Sequence, residues 1–447
     1  MNEVIEFIEQ GIEKGEFTKI REQIVKLNVV DIALILDELD EKAALIVFRL
    51  LPKELSVEVF SYLSKEQQQY IIESITDREI KNIIDNLFMD DTVDVLEEMP
   101  ANVVKKILRH VSEDRRKLIN QFLQYPEYSA GSIMTIEYID LKKEMTVGQA
   151  LDKIKRVGID KETIDICYVM DQSRRLEGAI PLRKLVVSEK DVVIKDIMET
   201  NIISVHTHMD REEVGNLFRK YGLLAMPVVD MENRLVGIIT VDDVVDIIEQ
   251  ENTEDFQVMA AMEPSDEEYL KTSVFRLARN RIVWLLILMI SATFTGSIIK
   301  KYNDMLSSVV ILATFIPMLM DSAGNAGSQS STLIIRGLAL DEIRLRDFSK
   351  VLWKELRVGL LVGLTLSVVN FLRIYLLDKV GIQIALTVSG SLFITVVTAK
   401  IVGSLLPIAA KKLRLDPAIM AGPLITTIVD ALALLAYFRI ATWLLGL

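Results

Sequence analysis

The chain has 447 residues, of which 50% are hydrophobic and 26% charged, with a net charge of −13 and a mean hydropathy of +0.31. The acid excess, sitting mostly in the N-terminal half, excludes nucleic acid as a partner. The single Cys167 excludes a disulfide framework and fits a reducing cytosol, and one Cys with three scattered His leaves no set of soft-metal ligands. Charge concentrates before Arg281 and long apolar runs come after it, so a soluble part precedes a membrane part. The acidic start, without basic residues followed by an apolar core, is expected to carry no cleavable signal peptide.

Residues 1–130 read as an all-α, acidic N-domain. Apolar residues at helical spacing in 29–36, 43–51, 87–96 and 103–108 give short amphipathic helices, with Pro52 and Pro100 at helix boundaries. Their recurrence at intervals of about 20–35 residues predicts a stack of helical hairpins. Asp90, Asp91 and Asp94 put several carboxylates within one turn, which a helix N-terminus alone would also favour.

Residues 131–252 contain an internal repeat. Asp171, Leu176 and Gly178 align with Asp230, Leu235 and Gly237, each copy reading helix, strand, polar turn, strand, helix, with Ile133-Met134 and Ile197-Met198 opening the copies. The pair resembles tandem α/β CBS domains. That resemblance implies an adenine nucleotide such as ATP, bound at Thr240 and Asp243 of the second copy, since Pro181 and Lys184 stand at the matching places of the first. Acids crowd the second copy and the stretch after it: Asp210, Glu212, Glu213, Asp242, Asp243, Asp246, Glu249, Glu251, Glu254 and Asp255, with no Lys or Arg between Arg234 and Lys271. Like charges one turn apart repel unless a divalent cation neutralises them.

Residues 253–281 read as a connecting helix, apolar at first, interrupted by Glu263-Pro264-Ser265-Asp266, then basic and amphipathic from Tyr269, with Lys271, Arg276, Arg279 and Arg281. Residues 282–447 read as a five-span α-helical membrane domain, with spans at 282–299, 307–335, 351–377, 384–410 and 418–447. Lys and Arg of the short loops gather on one side, which puts the N-terminal domains in the cytosol and the C-terminus outside. An odd number of spans gives no inverted repeat, so a central pathway forms more easily between two chains. The second span carries Pro317, expected to free the carbonyl of Ala313, then Gly324 and Gly327 for close helix approach, with Asn325 and Gln329 offering oxygen at turn spacing. The fifth carries Gly422-Pro423, expected to free the carbonyl of Ile419, and Asp430, a carboxylate with no cation one turn away. Unpaired oxygen in a span suits a hard cation.

The order of these parts, with Gly324-Asn325-Ala326-Gly327-Ser328-Gln329 and Asp416-Pro417-Ala418, Gly422-Pro423, Thr427 and Asp430, resembles the MgtE family of magnesium channels over essentially the whole chain. The resemblance implies no enzyme but a homodimer in the cell membrane. Its pore would be lined by the second and fifth spans, with Asp430 of both chains holding hydrated Mg²⁺ and Asn325 assisting. Asp416 would lie near the cytosolic mouth. Asp91, Asp210, Glu212, Asp243, Asp246, Glu251, Glu254 and Asp255 would bind Mg²⁺ to hold the pore closed when cytosolic Mg²⁺ is high. Gly222 departs from an acid that family members carry there. The competing functions are a carrier for Co²⁺ or Mn²⁺ and a non-transporting membrane nucleotide sensor.

Overall fold

A computed structural model describes residues 1–265, 269–270 and 272–446. Asp266 and Lys271 of the expected connector lie outside the described residues. The chain divides into two compact units, Met1–Ile248 and Glu249–Leu447.

In the first unit the amphipathic stripes become α1 (Asn2–Glu13), α2 (Phe17–Ile24), α3 (Val29–Glu38), α4 (Glu41–Leu50), α5 (Lys53–Ser61), α6 (Lys65–Ser74), α7 (Asp77–Asn86), α8 (Met89–Glu98), α9 (Ala101–His110) and α10 (Glu113–Phe122). Their starts are set by capping chemistry. Asp40 accepts from Ala43 N at 2.7 Å, Thr76 and Glu79 form a capping box, and Pro52 and Pro100 precede α5 and α9, where a missing N–H costs nothing. From α3 onward every second helix starts 24 residues after the last, at Val29, Lys53, Asp77 and Ala101. Alternate helices pack on each other, α3 on α5 on α7 on α9 and α4 on α6 on α8 on α10, which gives two stacked rows. The core between them is apolar and largely aliphatic: Ile32, Leu36, Val47, Phe60, Ile71, Ile80 and Ile84 are all buried. The expected helical stack is present, and its 24-residue period falls within the interval of about 20–35 residues that the sequence pattern predicts.

The repeat comes next: β1 (Ile139–Lys142), α11 (Val147–Val157), β2 (Ile166–Met170), β3 (Leu176–Pro181), α12 (Leu182–Val187), α13 (Ile194–Ile197), then β4 (Val205–His206), α14 (Arg211–Tyr221), β5 (Ala225–Val229), β6 (Leu235–Thr240) and α15 (Val241–Met259). Each copy is a three-stranded sheet with one parallel and one antiparallel pairing, Val169 opposite Gly178 in the first and Val228 opposite Gly237 in the second. The copies exchange their openings. Thr135 pairs with Ile238 and Glu199 with Ala179, and a side chain on Gly237 would press within 2.7 Å of Met134 Sδ, as one on Gly178 would within 2.6 Å of Met198 Sδ. Each Ile-Met pair therefore closes the other copy's sheet.

The connector departs from expectation. Helix α15 runs through residue 252 without a break, because its acidic residues continue the same helical pattern, and α16 (Val274–Lys301) begins at the Ser273 N-cap. Arg276, Arg279 and Arg281 thus stand in the first turns of the helix that continues into the first span, not in a separate helix. After α17 (Asn303–Ser308) and a 3₁₀ turn at Val310–Phe315 come α18 (Ile316–Ala339), α19 (Phe348–Leu376), α20 (Ile382–Lys412) and, behind a 3₁₀ turn at Pro417–Met420, α21 (Gly422–Leu445). Among the described residues five helices are long and apolar enough to cross a membrane. Pro317 and Pro423 do not free interior carbonyls. Each sits in the first turn of its helix, where the donor it lacks has no partner in any case.

Small residues bring these helices together. A side chain at Gly324 would come 3.0 Å from Thr426 Cγ2, so α18 and α21 meet face to face. At the α18–α20 crossing a side chain on Gly403 would collide with the backbone carbonyl of Gly327, whereas Gly390, on the same helix, has open space beside it. Gly403→Val is expected to cost about 1–3 kcal/mol through overpacking against rigid backbone. Thermal melting of the detergent-solubilised chain checks this, with Gly390→Val expected to melt as the parent does.

Candidate cation sites

Helix α18 buries Ala323, Gly324, Ala326 and Gly327 against α20 and α21. Its opposite, exposed face carries Asp321, Asn325 and Gln329, one turn apart in succession. A face of this polarity cannot lie against lipid. Next to it, two turns into α21, stands Asp430, half-buried, with Oδ1 buried and lacking a hydrogen-bond partner. Asp321 is close enough to act on it electrostatically. Thr426 and Thr427, the hydroxyls at turn spacing, donate to Pro423 O at 2.8 and 2.9 Å and so leave the carboxylate unserved. Two carboxylates and an amide oxygen, one carboxylate oxygen of them without any donor, suit a hard cation that brings its own waters. Asn325, singled out in the second span, stands on this exposed face. Asp321 was missed, although it precedes Asn325 by four residues; Gln329 turns its Oε1 toward Lys400 Nζ of α20 at 3.5 Å.

A second acidic group gathers in the same unit. Burial, then Asp416, Glu251 and Glu254, push the Asp255 carboxyl up to about 6. Asp416 itself accepts from Ala418 N at 2.8 Å, holding the turn before α21. The fold thus draws three residues of α15 together with one from 161 positions later in the chain.

The third group lies in the first unit, between α8 and the repeat. Burial comes first for each member. Asp91 is pushed up to about 6 by burial and then by Asp243, Asp242 and Glu137, and Asp243 to about 6 with Asp242 and Asp246 contributing. Glu162 is pushed up to about 8 by burial, Asp243 and Asp91, and its Oε2 has no hydrogen-bond partner. Buried Asp90 is also held well above the usual carboxylate range. Thr240 Oγ1 donates to Asp243 Oδ2 at 2.7 Å, so the two expected nucleotide contacts are bonded to each other. Glu137 Oε2 accepts from Thr135 Oγ1 at 2.6 Å and Met89 N at 3.4 Å. Glu137 and Glu162 had no local signal in the sequence, because their neighbours in space come from other elements.

Asp210 and Glu212 are used differently. Asp210 is the N-cap of α14 and accepts from Glu212 N at 2.8 Å. Gly222 ends that helix at φ +60°, a left-handed conformation that an acidic side chain would strain. Among the described residues no group of three or more His, Cys, Asp or Glu is placed to hold a metal ion directly. Mg²⁺ needs none, since it is commonly held through water by one or two carboxylates.

Raised carboxyl values set a sign. The neutral acids favour the cation-free arrangement, so this stability is complete below the unfolded carboxylate values and is lost as pH rises through about 6 for Asp91 and Asp243 and about 8 for Glu162. Thermal melting of the full chain in a chelator is expected to fall from pH 5 to pH 8.5, with added Mg²⁺ raising the midpoint much more at the higher pH. Glu162→Gln should flatten the upper part of that dependence.

Comparisons with known proteins bear on the family. A family model described as a divalent cation transporter matches residues 316–440, one described as the MgtE intracellular N domain matches 27–128, and a CBS domain matches 194–250. The chain is 36% identical to the magnesium transporter MgtE of Thermus thermophilus over 98% of either chain. It is 32% identical to that of Bacillus subtilis, over 96% of this chain and 94% of the relative. Its fold resembles a crystal structure of the soluble part of a magnesium transporter (TM-score 0.53, 29% identity, 56% of this chain and 99% of that one). It also resembles one of the cytosolic domain of the Mg²⁺ channel MgtE in complex with ATP (TM-score 0.51, 33% identity, 54% and 98%). Identity of this extent, spread over the helical N-domain, the CBS pair and the five spans, places the chain in the MgtE family.

Proposed function

We propose that the chain is a Mg²⁺-selective channel of the cell membrane that imports Mg²⁺ and is closed by Mg²⁺ bound to its acidic soluble domains. The observation that carries this reading is the exposed Asp321–Asn325 face of α18 beside the unpartnered carboxylate oxygen of Asp430 on α21. A polar face on a span needs water or a second copy of the chain, and a homodimer supplies both by closing a path between two such faces. In that path Asp430 of each copy attracts the cation, Asn325 and Asp321 accept hydrogen bonds from its waters, and the ion keeps most of its hydration shell. The oxygen-only donor set disfavours Co²⁺. Two charges crossing 100 mV gain about 4.6 kcal/mol, roughly three orders of magnitude in concentration, so import needs no co-substrate.

The positive loop ends support cytosolic soluble domains and an outside C-terminus. The chain is read as four parts, 1–130, 131–252, 253–281 and 282–447. The gate is a two-state element: without cation, Asp91, Asp243 and Asp246, and separately Glu251, Glu254, Asp255 and Asp416, repel their neighbours, and Mg²⁺ holds each group together. Asp210 and Glu212 belong to the same set by family resemblance alone. An adenine nucleotide, as in the ATP complex of the similar cytosolic domain, would meet Thr240 and Asp243. Asp243 can accept from ribose hydroxyls, whereas phosphates would face the surrounding acids.

In proteoliposomes Asp430→Asn is expected to abolish Mg²⁺ uptake; unchanged uptake would overturn the reading of the path. Asp91→Asn with Asp243→Asn is expected to leave uptake intact and to raise the Mg²⁺ needed on the soluble-domain side for closure by about tenfold or more, the usual size of such couplings.

A further inference from the structure

Three polar side chains from three different spans meet inside the membrane unit without entering the sites above. Glu355 of α19 is 9% exposed, Lys400 of α20 is 4% exposed and Ser330 of α18 is 1% exposed. Ser330 Oγ donates to Glu355 Oε2 at 2.6 Å. Its one proton is then committed, so it can only accept from Lys400 Nζ, which lies 3.4 Å away. The same Nζ lies 3.5 Å from Gln329 Oε1. A buried ammonium in a span is tolerated only against a counter-charge, and Glu355 provides one across the Ser330 hydroxyl.

Lysine has donors and no acceptor, so it fixes which end of the Gln329 amide faces it. The oxygen turns inward to Lys400, and the NH₂ group is left for the exposed face that Gln329 shares with Asp321 and Asn325. Waters held by a cation point their hydrogens outward, so they need acceptors from a wall and gain nothing from a donor. We propose that Lys400, balanced by Glu355 through Ser330, is a positioning residue that keeps the Gln329 oxygen out of the ion path. That turn of α18 then becomes a level that hydrated cations pass without occupying. Conduction requires binding strong enough to admit the ion and weak enough to release it, and a donor level beside Asp430 and Asn325 limits the number of holding positions. This inference rests on the reading of α18 and α21 as the ion path.

The test is Mg²⁺ uptake by the full-length chain in proteoliposomes, read as KM against maximal rate. Lys400→Met with Glu355→Gln removes both charges while keeping an acceptor for Ser330. It is expected to lower KM by about tenfold or more, with a lower maximal rate, as the freed oxygen becomes a holding position. Adding Gln329→Ala should return KM to the parent value, and Lys400→Arg, which also only donates, should keep it. Lys400→Met alone strands the Glu355 charge and should melt earlier than the double variant. A folded double variant with unchanged KM overturns the proposal. Gln329→Ala alone, an exposed change that leaves the bridge whole, should leave KM as in the parent; a rise of about tenfold would mean that the oxygen is a ligand and would equally overturn it. Loss of the path reading itself is seen separately, as uptake insensitive to Asp430→Asn.

Discussion

A carboxylate removed from water must find a hydrogen-bond donor, a proton or a cation, and this demand recurs wherever the chain concentrates its chemistry. Asp430 has no donor on Oδ1, and Glu162 has none on Oε2, in a protein where caps such as Asp40 and Asp416 are bonded at 2.7–2.8 Å. Burial leads the causes that raise Asp91, Asp243, Asp255 and Glu162, with like charges second. A fold that leaves acids so placed is incomplete by itself. In the proposed function the missing component is the transported ion, so the same chemistry admits Mg²⁺ at the path and reports its abundance in the soluble domains.

The rest of the architecture serves that arrangement. Gly324, Gly327 and Gly403 have no side chain because α18 must lie close to both α20 and α21, and that approach sets Asp430 beside the face of Asp321 and Asn325. Pro317 and Pro423 start these two helices cleanly rather than bending them. The exchanged Ile-Met openings of the CBS copies lock two small sheets into one body, on which Asp243 and Glu162 have defined places against Asp91. Rigid scaffolding of this kind is what allows like charges to be held near each other until an ion reconciles them.

Buried charge is handled in a second way at Lys400 and Glu355. There the chain supplies its own counter-charge through Ser330, and the consequence is orientation rather than binding.

Much of this was legible in the residues alone. Apolar run length marked the spans, 3.6-residue spacing marked the helical stack, and the paired Asp171/Asp230 and Gly178/Gly237 positions marked the repeat, because these signals are local and periodic. Asp430 and Asn325 could be singled out because polar atoms in an apolar run are conspicuous in one dimension. Asp321 was overlooked within such a run, since it gains meaning only from its distance to Asp430. Glu137 and Glu162 are ordinary acids in the sequence and join Asp91 and Asp243 only through folding. The sequence also misjudged Pro317, Pro423 and the connector, where helix starts depend on what precedes them in space. Composition and periodicity determine which elements form and which face of each avoids water. Which carboxylates share a site, and which way the Gln329 amide turns, is decided by tertiary packing, because electrostatics acts through space and not along the chain.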